Sequence, residues 1–543
     1  MSRIPDTGCR SFIRSSFFVP SLGACLVAAT LASTVVCAGD SLRSGADCEF
    51  GVDRFGERIH ALGDQLVVVS SPFADGGAGW CGVLDPWTCE LLQSWAGAPG
   101  SGLGTAIGHA DIDRDGRDDL VISAPGSITG EVRGEVRVHR GLDEGFEQEP
   151  SYRLVERVSG ESFGVSLLTF DPDGDGWQDL AVGAGTYSGV WSFEGAVHVY
   201  RSRASGPDSI PWVTLTGRAT AAAFGRALDS ADFDGDGRDD LLVGSPEGSW
   251  GQNREGRAEI FLGTGGGLSA FPTWSVEGGE PYAYFGFAVG VAALPPGDGR
   301  ALWAVGAPGV GGTRGRCSVY RGPGFPVAPD IVRSVDEPGA WFGAAIEPVV
   351  TSVCTGPVLA VSSPGSGAGN GRVDVVGWDR CDGTYRWGTV MDGTSAGYLG
   401  TSLSASPSGL WIGAPWETTS SGRGAMHKWS RPSLTPQDDS LLVLTGPDVP
   451  VPAQAPTGPP WTVVLSPQPV RDGAVLSVIG EAHCELEWTS LGADGRKLAG
   501  GLLRSGERIR WSEEMSQGAR TGWLTFSDGR DRRTIRWVAL AHR

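Results

Sequence analysis

Three stretches of this chain carry carboxylates at a spacing that could hold a metal ion: Asp111-Ile-Asp113-Arg-Asp115-Gly-Arg-Asp-Asp119, Asp171-Pro-Asp173-Gly-Asp175-Gly-Trp-Gln-Asp179 and Asp232-Phe-Asp234-Gly-Asp236-Gly-Arg-Asp-Asp240. Each puts Asp at loop positions one, three, five and nine and Gly at position six. Alternate side chains of a tight loop point inward, and Gly permits the sharp turn. Four crowded carboxylates repel unless a cation sits among them. Hard oxygen donors in this number suit Ca²⁺, with the backbone carbonyls of Arg117, Trp177 and Arg238 as position-seven ligands. The expectation is three calcium sites, one per loop. Carboxylates engaged in ligation are not free to move protons, and full protein coordination leaves no open position for a substrate.

The elements that position these loops follow from a repeat. An aromatic or Leu followed by Gly recurs at Phe55-Gly56, Leu103-Gly104, Phe163-Gly164, Phe224-Gly225, Phe285-Gly286, Phe342-Gly343 and Leu399-Gly400, in steps of 48, 60, 61, 61, 57 and 57 residues. An apolar alternating run comes after each pair, then a turn or an Asp loop. A second apolar run ends in a small-residue corner such as Gly306-Ala-Pro308 or Gly413-Ala-Pro415. A third run follows, as in Gly195–Tyr200 and Arg257–Leu262, and a weaker fourth, as in Pro211–Leu215 and Thr273–Val276. Period-two alternation bounded by Gly and Pro reads as strand. Four short strands per unit and seven units predict an all-β, seven-bladed β-propeller followed by a smaller β domain. Each blade buries its faces only against neighbours, so the ring must close. The segment around Ser41–Phe50 stands where a fourth strand is due, and it is expected to complete the seventh blade.

The repeat resembles the FG-GAP repeat of integrin α-chain propellers over roughly residues 40–430, and the Asp loops resemble that family's β-hairpin calcium loops. The resemblance implies a calcium-bearing propeller that displays a binding surface. There are departures. Integrin α-chains carry their calcium loops in later blades, whereas here they fall in the second, third and fourth. The fifth blade keeps only Pro296-Gly-Asp298-Gly299, with Leu294 and Leu302 where carboxylates should be, and no metal is expected there. No inserted nucleotide-fold domain interrupts the repeats, and no Arg-Gly-Asp tripeptide is present.

The formal net charge is −20. Twelve Asp side chains occupy positions one, three, five and nine of the three loops, and three Ca²⁺ would offset six of their charges. Lys occurs only at Lys428 and Lys497, and no basic tract appears. This argues against nucleic acid or an anionic membrane as partner. No His-Glu-x-x-His motif and no Gly-x-x-x-x-Gly-Lys phosphate loop is present. His139 and His198 read as equivalent third-strand positions, which points to a repeated structural role.

Residues 1–38 read as a secretory signal: Arg3, Arg10 and Arg14, then the apolar Phe17–Val36, then Val36-Cys-Ala38 before Gly39. A retained N-terminal anchor and a lipoprotein box at Leu22-Gly-Ala-Cys25 are the alternatives. After the signal seven cysteines remain: Cys48, Cys81, Cys89, Cys317, Cys354, Cys381 and Cys484. Cys81 and Cys89 flank a turn and are the expected disulfide, with Cys354–Cys381 as a second candidate and buried free thiols as the alternative.

The repeat stops at Arg431. Residues 432–460 are rich in Pro, Ser, Thr and Asp and read as a linker. Residues 461–543 show alternating runs at Thr462–Leu465, Val475–Val478, Glu485–Trp488, Trp523–Phe526 and Thr534–Leu540, the pattern of a small immunoglobulin-like β-sandwich. They resemble C-terminal sorting domains of bacterial secreted proteins, with Gln468-Pro469 where those begin with Asn-Pro. The resemblance implies export or surface attachment; an ordinary sandwich module is the alternative.

Ten Trp lie near blade edges and loops: Trp87, Trp95, Trp191, Trp212, Trp250, Trp274, Trp341, Trp378, Trp387 and Trp416. Packing explains most. Trp191, Trp250 and Trp416 fall in loops between second and third strands, where little core is expected, and are the candidates for ligand contact. The expected function is non-enzymatic: an exported, monomeric, calcium-stabilised propeller, secreted or at the cell surface, that presents a rigid face to an extracellular protein or glycan. The alternatives are an extracellular enzyme or enzyme accessory module, and a structural cell-envelope component.

Overall fold

The computed structural model describes residues 48–292, 301–322, 325–326, 328–349, 358–379, 384–419 and 423–430, and the strand backbones between 461 and 538. The expected signal segment, the linker, the remnant at 296–299 and Cys354, Cys381 and Cys484 lie outside them, as do the side chains of Trp378 and Trp387.

Seven four-stranded antiparallel sheets form seven blades. Their first strands are Arg58–Leu62, Ile107–Ala110, Phe163–Phe170, Ala227–Ala231, Val289–Ala292, Ile346–Val349 and Leu403–Ser406. These line one central channel. Second strands such as Asp119–Ala124 and Asp240–Ser245 are buried along their whole length. Both of their faces meet another blade, so their sequences are continuous apolar runs rather than alternating ones. Each pair of adjacent blades shares one hydrophobic core, and the described residues show seven such cores. The one between blades 7 and 1 joins Cys48, Phe50 and Met426 to Phe55, Ile59 and Val67. The ring closes through the N-terminal strand, as expected. Cys48–Glu49 pairs antiparallel with Arg423–Ser430 as the outer strand of blade 7, Cys48 lying opposite Met426.

The aromatic-Gly pair is the device that joins blades. It supplies the two central residues of a β-turn entering each first strand. In all seven repeats the N–H two residues beyond the aromatic bonds the carbonyl of the residue before it, for example Phe287 to Tyr284 at 3.1 Å. The turn glycines have φ between +83° and +98°, as the third position of a type II turn requires. A Cβ on Gly286 would sit 2.5 Å from the Arg257 carbonyl of the preceding blade. The aromatic or Leu lies in the interblade core. At six of the seven joints it also bridges in parallel to a glycine at the start of the third strand of the preceding blade, as Phe285 does to Gly256.

The disulfide joins Cys89 to Cys48, not to Cys81. Cys81 and Cys89 lie on opposite sides of blade 1: Cys81 packs with Leu120 and Ile122 of blade 2, Cys89 with Trp411 and Met426 of blade 7. The sheet itself separates the two sulfurs, and Cys81 is a buried free thiol. His139 and His198 are not equivalent either. His198 lies opposite Val182 and its counterpart opposite Ile122 is Arg137; His139 corresponds to Tyr200. Both histidines fill interblade space, His139 against the ring of Trp95 at 4.9 Å.

The tail strands form two antiparallel sheets, one of Trp461–Ser466, Val475–Gly480 and Arg508–Arg510, the other of Lys497–Arg504, Glu485–Gly492, Thr521–Ser527 and Arg532–Val538. All five expected runs are strands; Lys497–Arg504 and Arg508–Arg510 are additional.

Candidate functional site

The three Asp loops connect first and second strands of blades 2, 3 and 4, so they crowd one face of the ring. The glycine at position six has φ of +90°, +81° and +88° in turn (Gly116, Gly176, Gly237), the left-handed conformation that turns the loop back. Its N–H bonds the first carboxylate in every copy, at 3.0 Å to Asp111, 2.7 Å to Asp171 and 2.8 Å to Asp232. Carboxylate oxygens of Asp111, Asp113 and Asp115 lie within 4.8 Å of one another, as do those of Asp171, Asp173 and Asp175, and those of Asp232, Asp234 and Asp240. In the last set Asp240 stands in place of Asp236, whose carboxylate pairs with the Arg238 guanidinium; Asp115 pairs with that of Arg117 more loosely, at 3.4 Å.

The ninth carboxylates are buried at the head of the second strands. Burial pushes Asp119 up to about 6 and Asp179 and Asp240 to about 7, against backbone hydrogen bonds that favour the anion and with neighbouring Asp charges adding to the rise. Asp179 Oδ2 has no hydrogen-bond partner. A buried carboxylate oxygen with no donor, at the end of a loop that gathers Asp171, Asp173 and Asp175, fits a hard divalent cation. Two arginines that the spacing of the loops does not reveal also reach in. Arg140 Nε lies 2.6 Å from Asp113 Oδ2, and Arg201 pairs with Asp173. Both leave the third strand just after its last paired residue. Both share an aromatic partner, Tyr152 and Trp212.

The opposite face carries the loops between second and third strands and those between blades. The central channel opens there as a cavity of about 780 Å³ rimmed by Trp341, Tyr398 and Trp416. Among the described residues, five of the seven exposed aromatics belong to these loops: Phe73, Trp191, Phe193, Tyr282 and Trp341, 41% to 53% exposed. Of the three expected tryptophans, Trp191 is exposed, Trp250 lies half-buried 3.9 Å beneath Arg257, and Trp416 stands not in a loop but in the second strand of blade 7, Gly409–Thr418, 4.1 Å from Arg54. Trp95 and Trp274 are core, and Trp87 covers Lys428 at 3.9 Å. The Trp191 and Trp250 loops are built alike. Glu194 Oε1 accepts the N–H groups of Gly189, Val190 and Trp191; Glu255 Oε1 accepts those of Trp250, Gly251 and Gln252. The legible signal was Glu-Gly immediately before the third strand, at Glu194-Gly195 and Glu255-Gly256.

The first strands around the channel hold further ionisable groups, of which Arg58 and Arg226 line the cavity. His60 Nε2 and His109 Nδ1 are 2.6 Å apart, and burial with the nearby His109 pushes His60 down to about 3. Burial raises Asp229 to about 7 and Glu347 to about 8. Arg226 at the mouth is lowered to about 10 by burial and by Arg58. All six sit on or next to first strands, where alternation made polar residues look solvent-facing.

A family model described as the FG-GAP repeat matches residues 103–139 and 224–261, the first three strands of blades 2 and 4. Together with the seven blades and the turn that joins them, this defines an integrin-α-like FG-GAP β-propeller. The chain is 34% identical over 237 residues to phosphatidylinositol-glycan-specific phospholipase D of Homo sapiens, which covers 40% of this chain and 28% of the relative. It is 29% identical over 260 residues to integrin alpha-5 of Xenopus laevis (45% of this chain, 23% of the relative). It is 33% identical over 201 residues to integrin alpha-PS2 of Drosophila melanogaster (34% and 14%). The chain spans about a quarter of the length of the phospholipase D relatives it matches.

Proposed function

We propose that this protein is a calcium-stabilised propeller that displays a rigid surface to an extracellular protein or glycan. The observation that carries the reading is the asymmetry of the ring: carboxylate loops crowd one face, and most exposed aromatics of the described residues belong to loops of the other. Three Ca²⁺, one per loop, would be held by Asp111, Asp113, Asp115 and Asp119; by Asp171, Asp173, Asp175 and Asp179; and by Asp232, Asp234, Asp236 and Asp240. The carbonyls of Arg117, Trp177 and Arg238 would complete them. The ion supplies charge compensation, and the loops then pin one face while the other binds. Trp191, Trp250 and Trp416 are the proposed ligand contacts, with Phe193 and Trp341 beside them. Residues 1–38 as signal, 39–431 as propeller, 432–460 as linker and 461–543 as an immunoglobulin-like sorting or anchoring sandwich complete the reading, with a secreted or surface location. In the described residues no helix is long and apolar enough to cross a membrane.

The test has two arms. Calorimetric titration of the chelated chain with Ca²⁺ should reach about three equivalents and raise the melting temperature. A glycan and protein array probed with the calcium-loaded chain should give ligands whose binding falls at least tenfold in the Trp191→Ala, Trp416→Ala double variant. Ligands bound equally well by that variant would remove the aromatic face from the reading.

A second reading, an extracellular enzyme or an enzyme's accessory module, is favoured by the similarity to phospholipase D and by Glu57, Arg58 and Arg226 on the cavity lining. Release of a phosphatidylinositol-glycan-anchored protein from vesicles by the purified chain would support it; no release above buffer would count against it. A cell-envelope component is the third, and cleavage or lipid modification of the tail in the producing cell would favour it.

A further inference from the structure

The middle Asp loop lacks one hydrogen bond that the other two make, and the three loops are chained. In blades 2 and 4 the backbone at loop position two donates to the ninth carboxylate: Ile112 N–H to Asp119 Oδ2 at 3.2 Å and Phe233 N–H to Asp240 Oδ2 at 2.9 Å. Blade 3 has Pro172 at that position, and proline has no N–H. Asp179 keeps the bond from Ser202 N–H to Oδ1 at 2.8 Å, while its Oδ2 is buried without a partner in a residue 1% exposed. Leaving a carboxylate oxygen buried and unsatisfied is costly, and a cation at this loop removes the cost. The other two loops have already spent that oxygen on an N–H.

Blade 3 is also the middle loop, and both neighbours grip it. Arg114, at position four of the blade 2 loop, stacks over the Trp177 ring at 4.4 Å and donates Nη2 to the Asp175 carbonyl at 3.1 Å. Asp239, at position eight of the blade 4 loop, accepts the Asp171 N–H at 2.8 Å and donates its own N–H to the Asp171 carbonyl at 3.0 Å. Fixing Asp171, Asp175 and Trp177 around an ion therefore fixes the partners of Arg114 and Asp239, which belong to the flanking loops.

We infer that the blade 3 loop is the primary ion site, filled first, and that its filling orders the loops of blades 2 and 4 so that the ions bind in sequence with positive coupling. This rests on the metal reading of the Asp loops given above. Coupling of this kind is reciprocal: an ion in a flanking loop must tighten the middle one by the same factor.

Trp177 makes the order readable. It is the aromatic at position seven of the blade 3 loop, where the other loops have Arg117 and Arg238. Tb³⁺ binds calcium-type oxygen sites and emits when a tryptophan beside it is excited. The full chain, freed of calcium, is titrated with Tb³⁺ while calorimetry counts bound ions and sensitised emission reports the blade 3 loop. The expected result is emission that is complete within the first of about three equivalents. Trp177→Phe should abolish that early emission; its persistence would place the antenna elsewhere and overturn the assignment. Arg114→Ala with Asp239→Ala should weaken the later ions about fivefold or more and spare the first. Emission that climbs in proportion through all equivalents, or late, overturns the order while leaving the loops as metal sites. No ion uptake by calorimetry overturns the metal reading, and the order with it.

Discussion

The carboxylate of Asp229 accepts the backbone N–H of Val291 at 2.7 Å, reaching from the first strand of blade 4 to that of blade 5. Glu347 makes the same reach from blade 6 to Ala405 N–H of blade 7 at 2.9 Å. Ser404 Oγ accepts Ala61 N–H at 2.9 Å and carries the pattern across the closure into blade 1. First strands of neighbouring blades share no ladder, since the bonded strands belong to separate sheets. Side chains on the channel wall therefore supply hydrogen bonds that the backbone cannot.

These two carboxyls predict a pH dependence. Burial raises Asp229 from 3.8 to about 7, and burial, with Asp229 adding to it, raises Glu347 from 4.5 to about 8. The native state thus holds protons that the unfolded chain gives up. Their contribution to stability is complete below about pH 4 and is lost as pH rises through about 7 to 8. Melting temperature measured in excess Ca²⁺ should fall across that window. Asp229→Asn with Glu347→Gln should flatten the fall by an amount on the order of a few kcal/mol. Parallel curves for the two proteins would show that these carboxyls do not carry the dependence.

The joining turn predicts a steep cost for one methyl group. Gly286 has φ +87° and a Cβ there would meet the Arg257 carbonyl at 2.5 Å, so Gly286→Ala combines backbone strain with overpacking. The expected loss is roughly 2–4 kcal/mol. Gly279 is the control: its φ is +72° but nothing lies within 4 Å of its Cβ. Gly279→Ala should cost only the strain, about 1 kcal/mol. Chemical denaturation of both variants checks this, and equal losses would mean the interblade clash is relieved by movement.

The ring was legible in the sequence because one constraint recurs seven times. Only glycine fits the turn between blades, and only small residues fit the second-strand corner against it: a Cβ on Gly244 would meet the Gly286 carbonyl at 2.0 Å. The Asp loops were legible because their ligands are local, within nine residues of one another. What was not legible is long-range. The Cys48–Cys89 bond depends on ring closure, which places the chain's first described strand beside blade 1. The proximity of Cys81 and Cys89 along the chain misled because a sheet lies between their side chains. Arg140 and Arg201 enter the acidic loops from third strands 27 or 28 residues beyond Asp113 and Asp173, and nothing local to the loops marks them.

The disulfide predicts how the ring opens. Cys48 belongs to the outer strand of blade 7 and Cys89 to the turn between third and fourth strands of blade 1, so the bond spans the closure. It closes a loop with a sequence separation of 41. Loop entropy alone assigns it about 4 kcal/mol. Cys48→Ser should lower the melting temperature and, in hydrogen exchange, expose Arg423–Ser430 before other third strands. Uniform loss of protection around the ring would show that closure is not the weak point.

Glu255 predicts a local effect of a different kind. Its Oε1 accepts Trp250 N–H at 3.0 Å and Gln252 N–H at 2.8 Å, with Gly251 between them. Burial alone would raise this carboxyl, but four backbone N–H bonds outweigh it and hold it below the usual range. The folded pKa is depressed, so this contribution is present above about pH 4.5 and is lost on acidification, opposite in sign to that of Asp229. Glu255→Ala leaves three loop amides without their acceptor and should cost roughly 1–3 kcal/mol. The loss should appear as faster amide exchange confined to the 249–255 loop, with the Asp loops on the far face unchanged. If Trp250 contributes to ligand binding on that face, Glu255→Ala should weaken binding through loop disorder, whereas Glu194→Ala should do the same for Trp191. Exchange that accelerates in the Asp loops as well would mean the two faces are coupled through the blade.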